Sequence, residues 1–376
     1  MGLKAGHEIE IICFEFLNWS KANNDRLIKA LNSVKIIKID AGRSNFFSWG
    51  WSVFSEKLCR VICKLFILNL DVLSQGVSRR SNLLVRALDK VNKPDIVIGH
   101  NPGALWPTIK AAKKFNCRSG FDVEDYHPGE GNDKMLQALI KQLIIKLIPQ
   151  FDYVSFAAPL ILQQLQADTG LQNSSWFTVL NYFPKAEFQE PVKLNEGPIK
   201  MVWFSQNINA ARGLELVLPF VKSNIRSVEL HLFGSLNNDF YENNLKNINN
   251  IYIHAPTSQI ELHKTLEKFD IGLALEPAKD VNNDLALSNK LLAYLQAGLY
   301  VVATDTKAQF SFLKSYIPHG VCFNHKINNA DDLFQKIIND IHIIRNDKIT
   351  RFKYFENSNW ETSSIKLLNI WHNNKV

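Results

Sequence analysis

Residues 270–305 read DIGLALEPAKDVNNDLALSNKLLAYLQAGLYVVATD. The run 271–275 is short and apolar and ends at Glu276, so it reads as a buried strand delivering a carboxylate into a polar loop. Ser288 is a helix-capping residue type, the spacing over 289–297 predicts a helix, and Gly298 supplies its stop. A second strand, 300–304, follows at once. Strand, loop, helix and strand in this order form one unit of a parallel sheet covered by helices. Lys290 falls in the first helical turn, where the helix dipole disfavours a cation and a bound anion would offset that cost.

The same rhythm runs outward in both directions. Strands are expected at 9–14, 34–39, 95–99, 120–123, 153–157 and 176–180, then at 200–205, 228–234 and 251–254. Helical periods lie between them at 104–115, 134–148, 159–169, 213–222 and 258–268. Continuous apolar strands alternating with helices predict parallel sheets covered on both faces. The rhythm breaks between Pro184 and Pro198, where KAEFQEPVKLNEG is polar. Two Rossmann-like domains are expected, 1–190 and 198–355, their sheets facing a central cleft. A closing segment, 356–376, carries an amphipathic helix expected to pack back towards the first domain. Ligands of such sheets bind beyond the carboxyl ends of strands, so the strand-end loops are the places to look for chemistry.

Three loops stand out. In 201–221, MVWFSQNINAARGLELVLPFV, a strand is expected to end at Ser205, a loop containing Asn207 follows, and a helix is expected from Gly213. A helix start presents unpaired N–H groups and a partial positive charge, and Arg212 adds a fork of donors suited to phosphate; the plainer reading makes Arg212 a solvated surface residue. His100 follows an apolar strand and precedes Asn101-Pro102-Gly103, as a catalytic or a purely structural histidine. Asp122, Glu124, Asp125 and Glu130 crowd just past another strand end, with His127 among them. Crowded carboxylates raise one another's pKa, as a catalytic base requires. The alternative is an acidic capping loop, with Asp125 or Glu130 paired to Lys134.

Ser288-Asn289-Lys290-Leu-Leu-Ala-Tyr-Leu-Gln-Ala-Gly298-Leu-Tyr-Val-Val-Ala-Thr304-Asp305 resembles the donor segment of GT-B glycosyltransferases of the family-4-like group, "S-x-K-x-x-E-Y-x-x-x-G-x-P-V-I-A-x-D". Ala-Arg212-Gly213-Leu-Glu215 is similar to the phosphate-facing "K-G-x-x" of that family, 98–102 to its strand-end histidine loop, 121–130 to an acidic segment of related bacterial sugar transferases, and 179–184 to its "N-x-F-P". The likeness covers almost the whole chain in order. It implies transfer of a sugar from a nucleotide-sugar to an acceptor hydroxyl, in bacterial polysaccharide or glycolipid synthesis, with retention of configuration. Ser205, Asn207, Arg212, Gly213, Ser288, Asn289 and Lys290 would then hold the donor, with Glu276 on its sugar or ribose. His100, Asp122, Glu124 and Asp125 would serve catalysis beside Glu276, and His127 and Glu130 the acceptor. Three positions depart from the pattern. The helix glutamate that holds ribose is Ala293, the usual proline after the helix is Tyr300, and the glycine-rich loop after the first strand is replaced by Glu15-Phe-Leu-Asn18-Trp19-Ser20. A nucleotide-sugar 2-epimerase and a non-catalytic nucleotide- or glycan-binding partner subunit are the alternatives. Base, sugar, acceptor, linkage and oligomeric state stay open.

Composition agrees with this class. At 376 residues, 46% hydrophobic and 21% charged, the chain has material for two cores and is neither disordered nor collagen-like. The longest apolar stretch, 58–73, is interrupted by Arg60, Lys64 and Asp71, too soon for a membrane span. MGLKAGHEIEIICF runs into a strand and shows no secretion signal, which predicts a cytoplasmic location. Five cysteines without a CxxC pair suggest reduced thiols and no structural zinc. No resident metal or other cofactor is expected, since neither a metal-binding DxD at a strand end, a P-loop nor a GxGxxG occurs. Residues 1–195 carry 24 Lys and Arg against 18 Asp and Glu, the rest 19 against 18. The densest basic stretch, 57–93, is interleaved at its start with Phe54, Leu58, Val61, Leu65, Phe66 and Leu68. That pattern is an amphipathic helix suited to an anionic membrane surface, at the inner face, and to a lipid-linked acceptor. No nucleic-acid-binding motif accompanies it.

Overall fold

The computed structural model describes residues 2–15, 25, 28–29, 31, 33–40, 42, 46–65, 69–192, 196–316, 318–324 and 330–372. The chain divides into two compact units, Met1–Val179 with Lys366–Val376, and Leu180–Ile365. Among the described residues every strand pair is parallel.

The first unit holds a two-stranded sheet, β1 (Glu10–Glu15) beside β2 (Lys35–Asp40). It also holds a four-stranded sheet ordered β3 (Ile96–His100), β4 (Arg118–Val123), β5 (Tyr153–Phe156) and β6 (Trp176–Thr178). Phe121, Val123, Val154 and Phe156 are buried in its core with Leu105, Ile109, Leu143 and Leu147 from the covering helices. At the far end of the sequence the helix Ile365–His372 joins this unit. Arg118 Nη1 donates to the Ile370 carbonyl at 2.8 Å, Trp371 Nε1 to the Tyr153 hydroxyl at 2.9 Å, and the Lys366 ammonium lies 4.2 Å from the Phe177 ring centre. Tyr153 can lie there because residue 120 is glycine: a Cβ at Gly120 would sit 2.2 Å from its ring.

The second unit is one six-stranded sheet in the order β12-β11-β10-β7-β8-β9. The strands are β7 (Ile199–Ile208), β8 (Val228–Leu236), β9 (Ile251–His254), β10 (Ile271–Ala274), β11 (Tyr300–Thr304) and β12 (Gly320–Phe323). Alternate side chains serve two cores, as the strand period requires. Met201, Trp203 and Leu273 pack with one, Val202 and Ala274 with the other. Strand order reverses between β7 and β10, which makes the carboxyl ends of those two strands the topological switch point where open α/β sheets bind ligands. At the opposite ends, Asp270 accepts from Arg345 Nε and Nη2 at 3.0 and 2.9 Å and from the Lys200 amide at 3.0 Å.

Two expectations change here. Strand β7 runs on to Ile208, so Ser205 and Asn207 lie within it, Asn207 paired with Ser235 beyond a register shift after Phe204. The helix expected from Gly213 is a 3-10 turn, Leu214–Leu216, and α-helix begins only at Leu218. Pro219 sits in the first turn of that helix, where its missing N–H costs nothing. The departure loop after the first strand, 16–20, lies outside the described residues.

The helix Asn289–Gln296 is seated on β10 through Tyr294, which is fully buried. A Cβ at Gly272 would lie 2.2 Å from the Tyr294 ring. Gly272→Ala therefore forces the helix off the sheet and should cost about 1–3 kcal/mol, the range for overpacking a core. Urea unfolding should show a lower midpoint at an unchanged slope; an unmoved midpoint would contradict this packing.

Candidate functional site

In the second unit the chemistry gathers at the switch point. Glu276 follows β10 and its carboxylate is gripped from the helix start: Lys290 Nζ donates to Oε1 at 2.7 Å and Ser288 Oγ to the same oxygen at 2.9 Å. Lys290 and Glu276 keep side-chain exposures of only 16% and 20%. Burial alone would raise the Glu276 pKa, but the charge and hydrogen bond of Lys290, with hydrogen bonds from Ser288 and Asn283, hold it below the usual range. The Glu276 amide donates to Thr304 Oγ1 and its carbonyl accepts from that hydroxyl, both at 2.8 Å, fixing the strand end to β11.

This corrects two readings. Ser288 makes no side-chain cap on its helix, because its hydroxyl is spent on Glu276. Lys290 does not stand in the first turn as a lone cation awaiting an anion, since Glu276 already offsets its charge. Asn289 takes the first helical position beside them.

The loop after β7 meets this cluster. Gly213 has φ +86°, and a Cβ there would lie 2.8 Å from the Leu275 side chain, so only glycine allows the approach. Arg212 is exposed in this loop. The Ala211 amide donates to Glu215 Oε1 at 2.8 Å, so a carboxylate also stands at the loop mouth. The ribose-holding position of the resembled motif, Ala293, is fully buried among apolar side chains and offers no polar group.

In the first unit, adjacent strands set three groups side by side. Register pairs His100 with Asp122, and Asp122 with Ser155. His100 Nδ1 lies 3.4 Å from Asp122 Oδ2 and 3.8 Å from Glu124 Oε1, while Ser155 Oγ donates to Asp122 Oδ1 at 2.9 Å. Asp122 is thus oriented from one side and presented to the imidazole from the other. One donor atom from each of His100, Asp122 and Glu124 falls within 4.8 Å of the others, a grouping with metal-ligand chemistry as well as acid–base chemistry. The Asp122 interaction and the nearby carboxylates raise the His100 pKa against its partial burial, and burial followed by the Asp122 charge raises that of Glu124.

The remaining acidic residues separate from this trio. His127 Nδ1 contacts Glu130 Oε2 at 2.7 Å, a local pair one turn along. The helix Lys134–Leu147 is capped by Asp133, which accepts from the Leu136 amide, and Lys134 donates to Gln137. Capping is therefore not the work of Glu130. Asp125, which falls between the two groups in sequence, is half-buried. Sequence reasoning passed over Ser155 and Thr304; the signal was a single serine or threonine in each strand of otherwise apolar and aromatic residues.

Backbone strain marks the same loops. Among the described residues, non-glycine positive φ occurs at Asn101, Ala211 and Ala278, just after β3, β7 and β10, besides the helix-ending Asn116. Such conformations cost about 1–3 kcal/mol and gather at functional sites.

No protein-family model matches the sequence. No curated protein matches it either. Solved structures do match the fold. HepE of Anabaena, solved with UDP, aligns at TM-score 0.64 and 9% identity over 96% of this chain and 92% of its own. A glycosyltransferase from Rickettsia africae aligns at 0.61 and 14% over 98% of both chains. TarM of S. aureus, solved with fondaparinux, alpha-GlcNAc-glycerol and UDP, aligns at 0.59 and 16% over 78% of this chain but 59% of TarM. The architecture is GT-B, with two Rossmann-like units.

The imidazole provides the direct check on the first-unit trio. His100 should titrate above its ordinary value of about 6.5, and Asp122→Asn should lower the midpoint. Because the folded value is raised, the stability it contributes is complete below about pH 6.5 and is lost as pH rises from there through the higher folded value. Histidine NMR titration reads this, and equal midpoints in both proteins would refute the coupling.

Proposed function

We propose that the protein is a glycosyltransferase that moves a sugar from a nucleotide-sugar to an acceptor hydroxyl, on a bacterial polysaccharide or glycolipid. The observation that carries this reading is the Lys290–Glu276–Ser288 cluster at the switch point of a GT-B sheet. The second unit would hold the donor. Lys290, with Arg212 from the adjoining loop, would take up charge on the diphosphate as the glycosidic bond breaks, an electrostatic contribution. Glu276 would hold Lys290 in place and meet the donor sugar. With Ala293 unable to hold ribose, Asn289 at the helix start would take that task.

The first unit would supply the acceptor side. Glu124, its carboxyl raised, is suited to take the acceptor proton, and the His100–Asp122 pair to donate to the sugar as charge develops. Asp125, His127 and Glu130 would line the acceptor's approach. The resemblance favours retention of configuration, and the reaction needs no resident metal or other cofactor.

The test is release of nucleoside diphosphate from UDP-, GDP- and ADP-sugars with incorporation of sugar into acceptor glycans. Arg212→Ala should lower kcat by about 10²–10³, as for loss of a charge-stabilising donor. Lys290→Ala leaves a half-buried carboxylate alone, so K290A/E276Q separates instability from lost chemistry. Glu124→Gln should reduce transfer about 10²-fold while sparing donor binding. Tight nucleotide binding with no release would leave a binding subunit, and release without an acceptor product would point to epimerisation.

A lipid-borne acceptor fits one more feature. In the helix Phe46–Leu65, Trp51, Phe54, Leu58 and Val61 are 67%, 57%, 46% and 54% exposed. Their spacing places them on one face, with exposed Lys57 and Lys64 beside it. Phe66 and Leu68, expected to extend the stripe, lie outside the described residues. No helix among the described residues is long and apolar enough to cross a membrane. We propose that this face rests on an anionic leaflet at the cytoplasmic side, each lysine contributing about 1 kcal/mol. The protein should float with phosphatidylserine vesicles at low salt and be released at high salt. Trp51→Glu/Phe54→Glu should abolish flotation, and equal failure on anionic and neutral vesicles would remove the membrane from this account.

A further inference from the structure

Two carboxylates of the first-unit trio have no lysine or arginine of their own. Glu276 has Lys290, Asp168 has Lys141 and Asp71 has Lys110. Among the described residues neither Asp122 nor Glu124 is paired in that way, and the group beside both is the His100 imidazole.

The three donor atoms converge. His100 Nδ1 stands 3.4 Å from Asp122 Oδ2 and 3.8 Å from Glu124 Oε1, and the donors of all three residues lie within 4.8 Å of one another. Two ligands bound at about 2.0–2.1 Å to one tetrahedral zinc ion sit about 3.3–3.4 Å apart. The His100–Asp122 spacing already fits, and Glu124, exposed just past the end of β4, has only to lean in. Ser155 Oγ donates to Asp122 Oδ1, which leaves Oδ2 for the shared point. A hydrogen-bonded carboxylate of this kind is the usual outer support of a metal site. With His100 and Glu124 exposed, water can supply the fourth ligand.

Among the described residues this is the one group of three such donors so close together. A second histidine cluster fails to converge: His231 Nδ1 meets His254 Nε2 at 2.9 Å, while Glu229 lies 3.5 Å from the opposite nitrogen of His231. The donor set of the trio also selects the ion. One imidazole nitrogen with two carboxylate oxygens suits zinc and cobalt, whereas calcium and magnesium take shells of oxygen alone. Two carboxylates against one dication also leave no net charge.

We infer that His100, Asp122 and Glu124 form a binding site for a divalent cation of the zinc class, and that the ion, when held, blocks transfer. The block rests on the reading of the trio as the acid–base group. His100 Nδ1 and the Glu124 carboxylate cannot ligate an ion and handle the acceptor proton at once, so the ion is an inhibitor and not a cofactor.

Cobalt reads the site without any need for turnover. Co²⁺ added to the wild-type protein should give the intense visible bands of four-coordinate cobalt. About one equivalent of Zn²⁺ should abolish them and Mg²⁺ in large excess should not. His100→Gln and Glu124→Gln, both at exposed positions, should each lose the bands while keeping the circular dichroism of the wild type. Ser155→Ala should weaken cobalt binding about tenfold, the scale for an outer support, and His231→Gln should leave the bands unchanged. Identical bands in the wild type, H100Q and E124Q, or the near-ultraviolet absorption of thiolate-bound cobalt in their place, would overturn the site. Zinc filling the site should lower transfer about 10²-fold, with EDTA restoring it, and undiminished transfer at full occupancy overturns the block. Binding and turnover fail separately. Bands lost in H100Q with no transfer by the wild type keep the cation site and remove the transferase, and transfer without bands does the reverse.

Discussion

One guanidinium holds the floor of the second sheet. Arg345 closes a two-bond fork on Asp270 and donates with its remaining N–H groups to the carbonyls of Gly197 and Pro198, at the entry to β7. The Asp270 amide also donates to the Lys200 carbonyl, and the Tyr300 amide to the Asp270 carbonyl. The feet of β7, β10 and β11 are thereby tied to one ion pair whose side chains are 0% and 7% exposed. Removing either partner would strand a buried charge, at a cost of about 3–5 kcal/mol. The opposite ends of these strands carry Glu276, Thr304 and the Gly213 loop, so their spacing is set at the floor.

The first unit uses register for the same purpose. Parallel pairing with no register shift between β3, β4 and β5 sets His100, Asp122 and Ser155 in a row. A slip of one residue would turn Asp122 to the other face and dissolve the row. The two clusters thus differ in construction: one is assembled across a helix start and a strand end, the other along neighbouring strands.

This difference decides what the sequence could tell. Strand ends are visible in a sequence because apolar runs stop abruptly, so His100, Asp122, Glu124 and Glu276 were legible as candidates. Partnership was not. The grip of Ser288 and Lys290 on Glu276 depends on how a helix lands on a sheet, and capping preference pointed Ser288 to its own helix instead. Strand β12 (GVCF) was not among the expected strands because four residues that open on Gly320, just after Pro318, carry too little period. The true end of β7 was hidden by the polar residues Ser205-Gln-Asn207, which a register shift carries along an otherwise apolar strand. The two Rossmann-like units needed none of these details, since the alternation alone predicts them, and the GT-B reading came from the resemblance of the 288–305 segment.

The helix that closes the first unit has a consequence for synthesis. Domains ordinarily fold as they emerge, the amino-terminal one first, at about 5–20 residues per second. Here the residues that bond Tyr153 and Arg118 leave the ribosome only after the whole of 180–365. The second unit, contiguous in sequence, can therefore be complete while the first still lacks a wall. Phe177 and Tyr153 must wait uncovered for that interval, exposing apolar surface to any chaperone or neighbouring chain. A ribosome stalled late in the message would hold a finished second unit attached to an unfinished first one.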